Sequence, residues 1–313
     1  MSMHCIPTIK DYSTTAVSVL REAGGRRMRG AGPRTGSAAR PLLSVITIVR
    51  NNKDTILQTI RSVLDQTYPH VEYLVIDGRS TDGTLEIIKQ HEDRIDYWLS
   101  EPDLGTSDAM NKGISYAQGD FIFWLASDDW IDPDYLEIAV EVLTRSSADF
   151  VYGNLTYYAS NVPQFTQAGD PEYAHSITYM MPRLNTPTRV TKTKCFRDVG
   201  LLDLYYKIAS DYELALRLHV HGAEGIYDGR LRVHHRLGGV STRSHLAGLL
   251  EVREAAIYHG SSKAKATYGL LRCLIRRSMR DMASFFLPAR INNKLLSYVR
   301  RKYQRDSHIS RVA

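Results

Sequence analysis

The sequence predicts an α/β fold: a mostly parallel sheet flanked by helices, with a basic helical extension at the C-terminal end. Three observations carry this. Continuous apolar runs of strand length recur at "LLSVITIV" (42–49), "VEYLVID" (71–77) and "DFIFWLA" (120–126). They are too short for core helices and too uniformly apolar for half-exposed strands. Amphipathic stretches of helical spacing lie between them, and that alternation requires crossover connections, hence parallel pairing with helices on both faces.

Each element follows in order. "DTILQTIRSVLDQ" (54–66) puts Ile56, Ile60, Val63 and Leu64 on one helical face, and "TYP" stops it. "TDGTLEIIKQHE" (81–92) opens with a Thr/Asp cap and continues as an amphipathic helix. "DYWLS" (96–100) reads as a short strand and "TSDAMNKGISYAQ" (106–118) as a helix. "DPDYLEIAVEVLTR" (132–145) has Pro133 in its first turn, where proline is preferred, with Asp132 placed to cap it. Beyond residue 150 the pattern is less regular. A strand is expected at 148–158, a polar connection at 159–190, and a helix over 207–222 that starts at Ser210 or Asp211. A strand at 230–242 then runs into a Gly238-Gly239 loop, and one more helix covers 245–260.

The chain of 313 residues has a net charge of +6 that is unevenly spread. Residues 1–41 carry +5, 42–262 carry −10 and 263–313 carry +11. An acidic body between basic ends argues against nucleic-acid binding, where the positive charge belongs on the folded core. It suits a cation-using site, with the ends meeting an anionic surface. Cys5, Cys195 and Cys273 form neither a metal spacing nor a disulfide framework, so a reducing compartment is expected. No run approaches the length of a membrane span, and no apolar segment near the start reads as a signal peptide. Residues 21–41, rich in Gly, Arg and Ala, are expected to be disordered.

Parallel sheets bind ligands at the carboxyl ends of their strands. Here those ends deliver Arg50-Asn51, Asp77-Gly78, Glu101-Pro102-Asp103 and Ser127-Asp128-Asp129. No Gly-x-Gly-x-x-Gly follows the first strand and no phosphate-binding Gly-x-x-x-x-Gly-Lys loop occurs, which disfavours a dinucleotide cofactor. Two adjacent carboxylates at the end of a buried strand repel each other and are partly desolvated. With Asp132 left to cap the next helix, a divalent cation is the simplest way to make Asp128 and Asp129 tolerable. Asp77, directly after a strand and before Gly78, can aim at a ring N–H or at ribose hydroxyls. Asp82 is expected only to shape its turn.

"SVITIVRNN", "TIRSVLDQTYPHVEYLVIDGRSTDGT", "SEPDLGTSDAMNKGISYAQGDFIFWLASDDW" and "ASDYELALRL" together resemble the family 2 glycosyltransferases of the GT-A fold, of the bacterial type that builds surface polysaccharides or glycolipids. The resemblance runs from about residue 42 to about residue 243. It implies a nucleotide-sugar donor (a UDP, GDP or dTDP sugar), a divalent metal (Mn2+ or Mg2+), a glycan or lipid-linked acceptor, and inversion at the anomeric carbon. By it, Asp77 meets the nucleobase, Asp129 is the metal ligand, and Asp128 faces the ribose or donor sugar. Asp103 and Asp108 line the donor pocket, with Lys112 either there or a solvated charge. Arg50 and Arg79 depart from the family pattern and add positive charge near the expected diphosphate. The general base maps to Asp211, with Glu213 as fallback and a helix-dipole charge as the structural alternative. The acidic residue usual before that Asp is Ser210 here. His234 or His235 is either a further metal ligand or a strand-face residue.

The C-terminal stretch 270–305 interleaves Leu, Ile and Phe with Arg and Lys, which fits either an interfacial helix on anionic lipid or a helix packed on the body. A cytoplasmic protein, peripheral on the inner membrane face, is the expectation. The rivals are a sugar-1-phosphate nucleotidyltransferase, disfavoured because "VRNNKDT" has no glycine, and an inactive membrane-associated assembly protein.

Overall fold

The computed structural model describes residues 4, 6–13, 20–238 and 245–286. The strands are β1 (Glu22–Gly24), β2 (Leu43–Val49), β3 (Val71–Asp77), β4 (Tyr97–Ser100), β5 (Phe121–Ala126), β6 (Trp130–Ile131), β7 (Phe150–Ala159), β8 (Val162–Gln167), β9 (Val190–Lys192) and β10 (Gly225–Arg236). The helices are α1 (Ile9–Ser13), α2 (Ile56–Leu64), α3 (Thr84–Lys89), α4 (Thr106–Tyr116), α5 (Tyr135–Arg145), α6 (Ala174–Ile177), α7 (Thr193–Val199), α8 (Ser210–Val220), α9 (His245–Tyr258) and α10 (Lys263–Phe286). The strands form one sheet in the order β1-β4-β3-β2-β5-β9-β7-β10-β6, with β8 on β7.

β2 pairs in parallel with β3 and β5, and β3 with β4, so four strand ends reach one edge together. Alternate residues explain the layers. Leu43, Val45, Tyr73, Val75, Phe121 and Phe123 pack under α2 and α5, while Ile46, Leu74, Ile76, Ile122 and Trp124 pack against α4, α7 and α8. A third cluster, including Phe150, Tyr152, Tyr212 and Val252, joins β7 to α8 and α9.

β9 runs antiparallel to both β5 and β7, and β10 runs parallel to β7. The β7–β10 register jumps from Tyr227↔Tyr152 to Arg232↔Asn154, so residues 228–231 loop out of the ladder. Beyond that bulge β10 also pairs antiparallel with β6, setting His234 opposite Trp130.

The basic segment before β2 is ordered where it is described, contrary to the expectation for 21–41. β1 pairs antiparallel with β4, and a 3-10 turn follows at Arg26–Arg29. Its arginines find carboxylates on the body. Arg26 and Arg34 bind Asp96 (2.6 and 3.0 Å), Arg29 binds Glu92, and Arg27 binds Glu72. Glu72 is fully buried and also accepts from Ser44 Oγ (2.5 Å) and the Gln118 N–H (2.8 Å). Composition predicts disorder only where the segment has no external partners. Here the opposite charge on the body supplies them.

Residues 263–286 are helical, as expected, and 287–313 lie outside the described residues, as do 239–244, which include Gly239 of the expected Gly238-Gly239 loop. Ala266 is buried, and a Cβ at Gly269 would run into Tyr179 O, so the start of α10 packs on the body. Tyr268, Leu271 and Ile275 face outward. Among the described residues no helix is long and apolar enough to cross a membrane.

Removing one partner of a buried ion pair strands the other charge. Arg27→Met should therefore cost about 3–5 kcal/mol in urea unfolding. Arg27→Met combined with Glu72→Gln should recover much of that loss. An Arg27→Met chain as stable as the parent would show that the Arg27–Glu72 pair contributes nothing.

Candidate active site

The loops after β2 and β3 are latched to each other. Asn51 (φ 51°) accepts from the Thr81 N–H at 2.8 Å, and its own N–H donates to Ser80 Oγ at 2.8 Å. Asp82 accepts from the Thr84 and Lys53 N–H groups (3.0 and 3.1 Å), the turn-forming role expected of it. Asp77 is buried, and its carboxylate accepts from the Ser80 N–H (3.0 Å), Ser80 Oγ (2.5 Å) and Ser100 Oγ (2.5 Å). A Cβ at Gly78 would run into Asp103 Oδ2 and come close to Arg50 Cδ, so Arg50, Asp77 and Asp103 converge on this glycine.

Asp108 is more enclosed than the sequence suggests. It accepts from Tyr12 Oη (2.7 Å) and the Leu104 N–H (3.0 Å), and Lys112 Nζ lies 3.2 Å away. Lys112 also pairs with Glu101 at 2.9 Å and donates to Pro102 O at 2.8 Å. Lys112 is thus no solvated charge. It folds the 101–108 loop onto α4, and Asp108 anchors that loop to α1.

The turn after β5 is pinned from α2. Thr59 Oγ1 donates to Asp129 O (2.7 Å), and Thr55 Oγ1 donates to Ser127 O (2.9 Å). The Asp129 side chain is 1% exposed and turns toward β10, where His235 Nδ1 lies at 3.0 Å and the Arg236 N–H at 3.3 Å. Burial raises the Asp129 pKa above the ordinary carboxylate value and the charge of Asp128 adds to this, against the hydrogen bond from His235. Burial alone would lower His235, but its hydrogen bond and charge pairing with Asp129 leave it raised. Asp128 is half-buried and accepts no hydrogen bond among the described residues.

Asp132 is not the cap of α5. Its carboxylate pairs with His234 Nε2 at 2.7 Å, and Asp134 occupies the N-cap position. The pairing follows from β10 lying beside β6, a contact 102 residues away in sequence. His234 stacks on Trp130 (centroids 5.1 Å apart), whereas His235 alone of the two faces Asp129. Arg236 lies over the Trp130 ring at 5.0 Å and bonds Gln58 and Asn161. Sequence reading offered no signal for Trp130 or Arg236.

Asp211 opens α8. Its pKa is raised by burial, opposed by a hydrogen bond from the Thr186 hydroxyl, by the Tyr212 N–H (2.7 Å) and by the charge of Arg189. Ser210 Oγ is buried against Ser107 Oγ at 2.8 Å, which joins α8 to α4 where the family's usual acid would stand. Glu213 is no fallback base. It is 1% exposed, accepts from Arg217 Nε and Nη2 (2.9 and 2.8 Å), and lies 2.8 Å from His259 Nε2. Arg217 donates onward to Val199 O and Leu201 O, so this network locks α8 to α9 and to the turn after α7.

A buried carboxylate beside a half-buried one, one imidazole and a rim of polar strand ends can hold a cation and an anionic ligand together. The family model described as Glycosyl transferase family 2 matches residues 44–202, and the chain belongs to that family. Over 125 residues it is 38% identical to the putative teichuronic acid biosynthesis glycosyltransferase TuaG of Bacillus subtilis, covering 39% of this chain and 50% of that protein. Over 122 residues it is 36% identical to the UDP-Glc:alpha-D-GlcNAc-diphosphoundecaprenol beta-1,3-glucosyltransferase WfgD of Escherichia coli, covering 38% of this chain and 48% of that one. The chain thus spans about half the length of these curated relatives. Among solved structures, the mannosyltransferase PcManGT of Pyrobaculum calidifontis, in complex with GDP-Man and Mn2+, matches with a TM-score of 0.57 at 16% identity, over 93% of this chain and 84% of that one. The architecture is the GT-A fold.

Glu213 is held below the ordinary glutamate range by His259 and Arg217, which together outweigh its burial. Its stabilisation is present above the unfolded value of about 4.3 and is lost as the pH falls through the lower folded value. Glu213→Gln should cost about 3–5 kcal/mol at pH 7, with the gap to the parent narrowing in acid. Denaturant unfolding at several pH values reads both effects, and a gap independent of pH would contradict the assignment.

Proposed function

We propose that this chain is an inverting, metal-dependent glycosyltransferase. It moves a sugar from a nucleotide-sugar donor to a glycan or lipid-linked glycan acceptor in the synthesis of a bacterial surface polysaccharide or glycolipid. The observation that carries this reading is the buried Asp129 carboxylate, beside Asp128 and facing His235, at the edge where Arg50, Asp77 and Asp103 gather. The relatives support it: the name of TuaG places that protein in teichuronic acid biosynthesis, and that of WfgD specifies UDP-Glc and a diphosphoundecaprenol-linked acceptor. PcManGT was solved with GDP-Man. UDP, GDP and dTDP sugars are therefore the donors to test.

The residues fit a hard divalent cation, Mn2+ or Mg2+. Asp129 offers a buried oxygen ligand, Asp128 a second carboxylate and His235 a nitrogen. Among the described residues no three such side chains form a ready-made cluster, so a donor diphosphate would share the coordination. A bound cation would neutralise the charge that develops on the departing nucleoside diphosphate.

The chain's own residues divide the remaining work. A carboxylate accepts about four hydrogen bonds, and Asp77 receives three donors here, leaving room for one nucleobase N–H. Arg50 puts positive charge beside the anionic donor, and Asp103 and Asp108 shape the loop that borders it. Asp211 takes the proton of the acceptor hydroxyl, whose oxygen attacks the anomeric carbon opposite the leaving group and inverts it. The outward stripe of Tyr268, Leu271 and Ile275, beside Arg272 and Arg276, supports contact with an anionic membrane on the cytoplasmic side, where a lipid-linked acceptor is met.

The test is nucleoside diphosphate release from UDP-glucose, GDP-mannose and a dTDP sugar, with diphosphoundecaprenol-linked GlcNAc or water as acceptor. Asp129→Asn should lower turnover at least about 100-fold with the melting temperature nearly unchanged, and excess EDTA should do the same to the parent. Full activity in excess chelator would reject the metal. Asp211→Asn should keep nucleotide affinity within about twofold while turnover falls about 100- to 10,000-fold, and unchanged turnover would move the base elsewhere.

A further inference from the structure

Arg189 is 0% exposed, and its Nε, Nη1 and Nη2 have no hydrogen-bond partner among the described residues. A buried guanidinium carries five donors and is costly to leave bare. Its Cζ lies 5.1 Å from the ring centre of Trp124 and 5.8 Å from that of Phe150, and those ring faces offset only part of the lost hydration. A methionine would fill such an aromatic niche without the penalty.

The turn before Arg189 is rigidly placed. Asn185 adopts φ 45° and donates from Nδ2 to Gly153 O (2.8 Å) and Gln167 O (3.0 Å). The Gly153 N–H donates to Thr188 Oγ1 (2.8 Å), Tyr135 Oη donates to Thr188 O (2.6 Å), and the Arg189 N–H closes the turn on Thr186 O (3.1 Å). One end of this turn gives Asp211 its hydroxyl partner, Thr186, and the other gives the bare guanidinium. Phe150, under that guanidinium, packs in the same cluster as Ala209 and Tyr212, which flank Asp211.

We infer that Arg189 is a positioning residue, a buried cation that keeps Asp211 ionised and so ready to accept the acceptor's proton. This rests on Asp211 being the base. Burial lowers Arg189 itself to about 10, so it stays cationic at neutral pH. The other titratable groups that face it are Tyr173, raised by burial, and Cys195, pushed up to about 11, both neutral there. Asp211 has Arg189 and the Thr186 hydroxyl set against its own burial, so losing the guanidinium raises the pH at which it ionises.

The experiment is a 13C-carboxyl NMR titration of the whole chain labelled at Asp, with Asp211→Asn assigning the signal, in parallel with pH profiles of kcat/KM for the fastest donor of the panel above. In Arg189→Met the Asp211 signal should titrate about one unit or more higher than in the parent, and the acid limb of kcat/KM should move with it. Arg189→Lys should stay close to the parent, and Arg189→Met should melt no lower. An unmoved Asp211 titration in folded Arg189→Met overturns the inference. A carboxyl that moves while the acid limb stays put rejects Asp211 as base, and with it the catalytic use of Arg189. Arg189→Gln replaces Arg189→Met should the latter not fold. Failure of both to fold makes Arg189 a residue of the fold alone and overturns the inference.

Discussion

A carboxylate with almost no exposure must find a compensating donor or give up its charge, and Asp129 finds its donors on β10. That contact joins the two parts of the sheet. Asp129 follows the parallel half, β4-β3-β2-β5, whose ends open together. His235 and Arg236 end a strand that reaches the same edge through β9 and β7. The site exists because both parts finish within hydrogen-bond distance of one side chain. Trp130, His234 and Asp132 brace that meeting from the side, through the short β6–β10 ladder.

The same rule recurs away from the site. Glu72 is met by Arg27, and Glu213 by Arg217 and His259. Each pair closes a junction between segments distant in sequence or stacked helices, so buried acids mark where the architecture is fastened. Asp128 and Arg189 stand apart from this pattern. One is a carboxylate without a hydrogen bond and the other a guanidinium without one among the described residues. Both lie beside the proposed chemistry, whereas Glu72 and Glu213, the acids that fasten the fold, are fully partnered.

The central sheet was legible because parallel strands buried on both faces must be apolar and β-rich, and their helices must be amphipathic. The acidic pair was legible because two like charges after such a strand need an explanation. What escaped depends on distance along the chain. Nothing local in "WIDP" announces that Asp132 will meet His234, or in "SDYEL" that Glu213 will be claimed by His259. β6 and β9 are two and three residues long, below what periodicity can register, and the exposed β8 carries no apolar face. The arginine-rich segment before β2 was misread for the same reason. Its composition describes a chain alone in water, and its partners lie on the body.

The outward loop at 228–231 has a further consequence. Side chains on a strand alternate between faces, so the register in which Arg232–Arg236 rejoin β7 sets the phase of everything after the loop. His234 and His235 are adjacent, and that register decides which imidazole meets Asp129 and which stacks on Trp130. Because the loop lies outside the ladder, a change in its length can leave that register intact, whereas a one-residue slip of the ladder itself would put Val233 beside Trp130 or Arg236 beside Asp129.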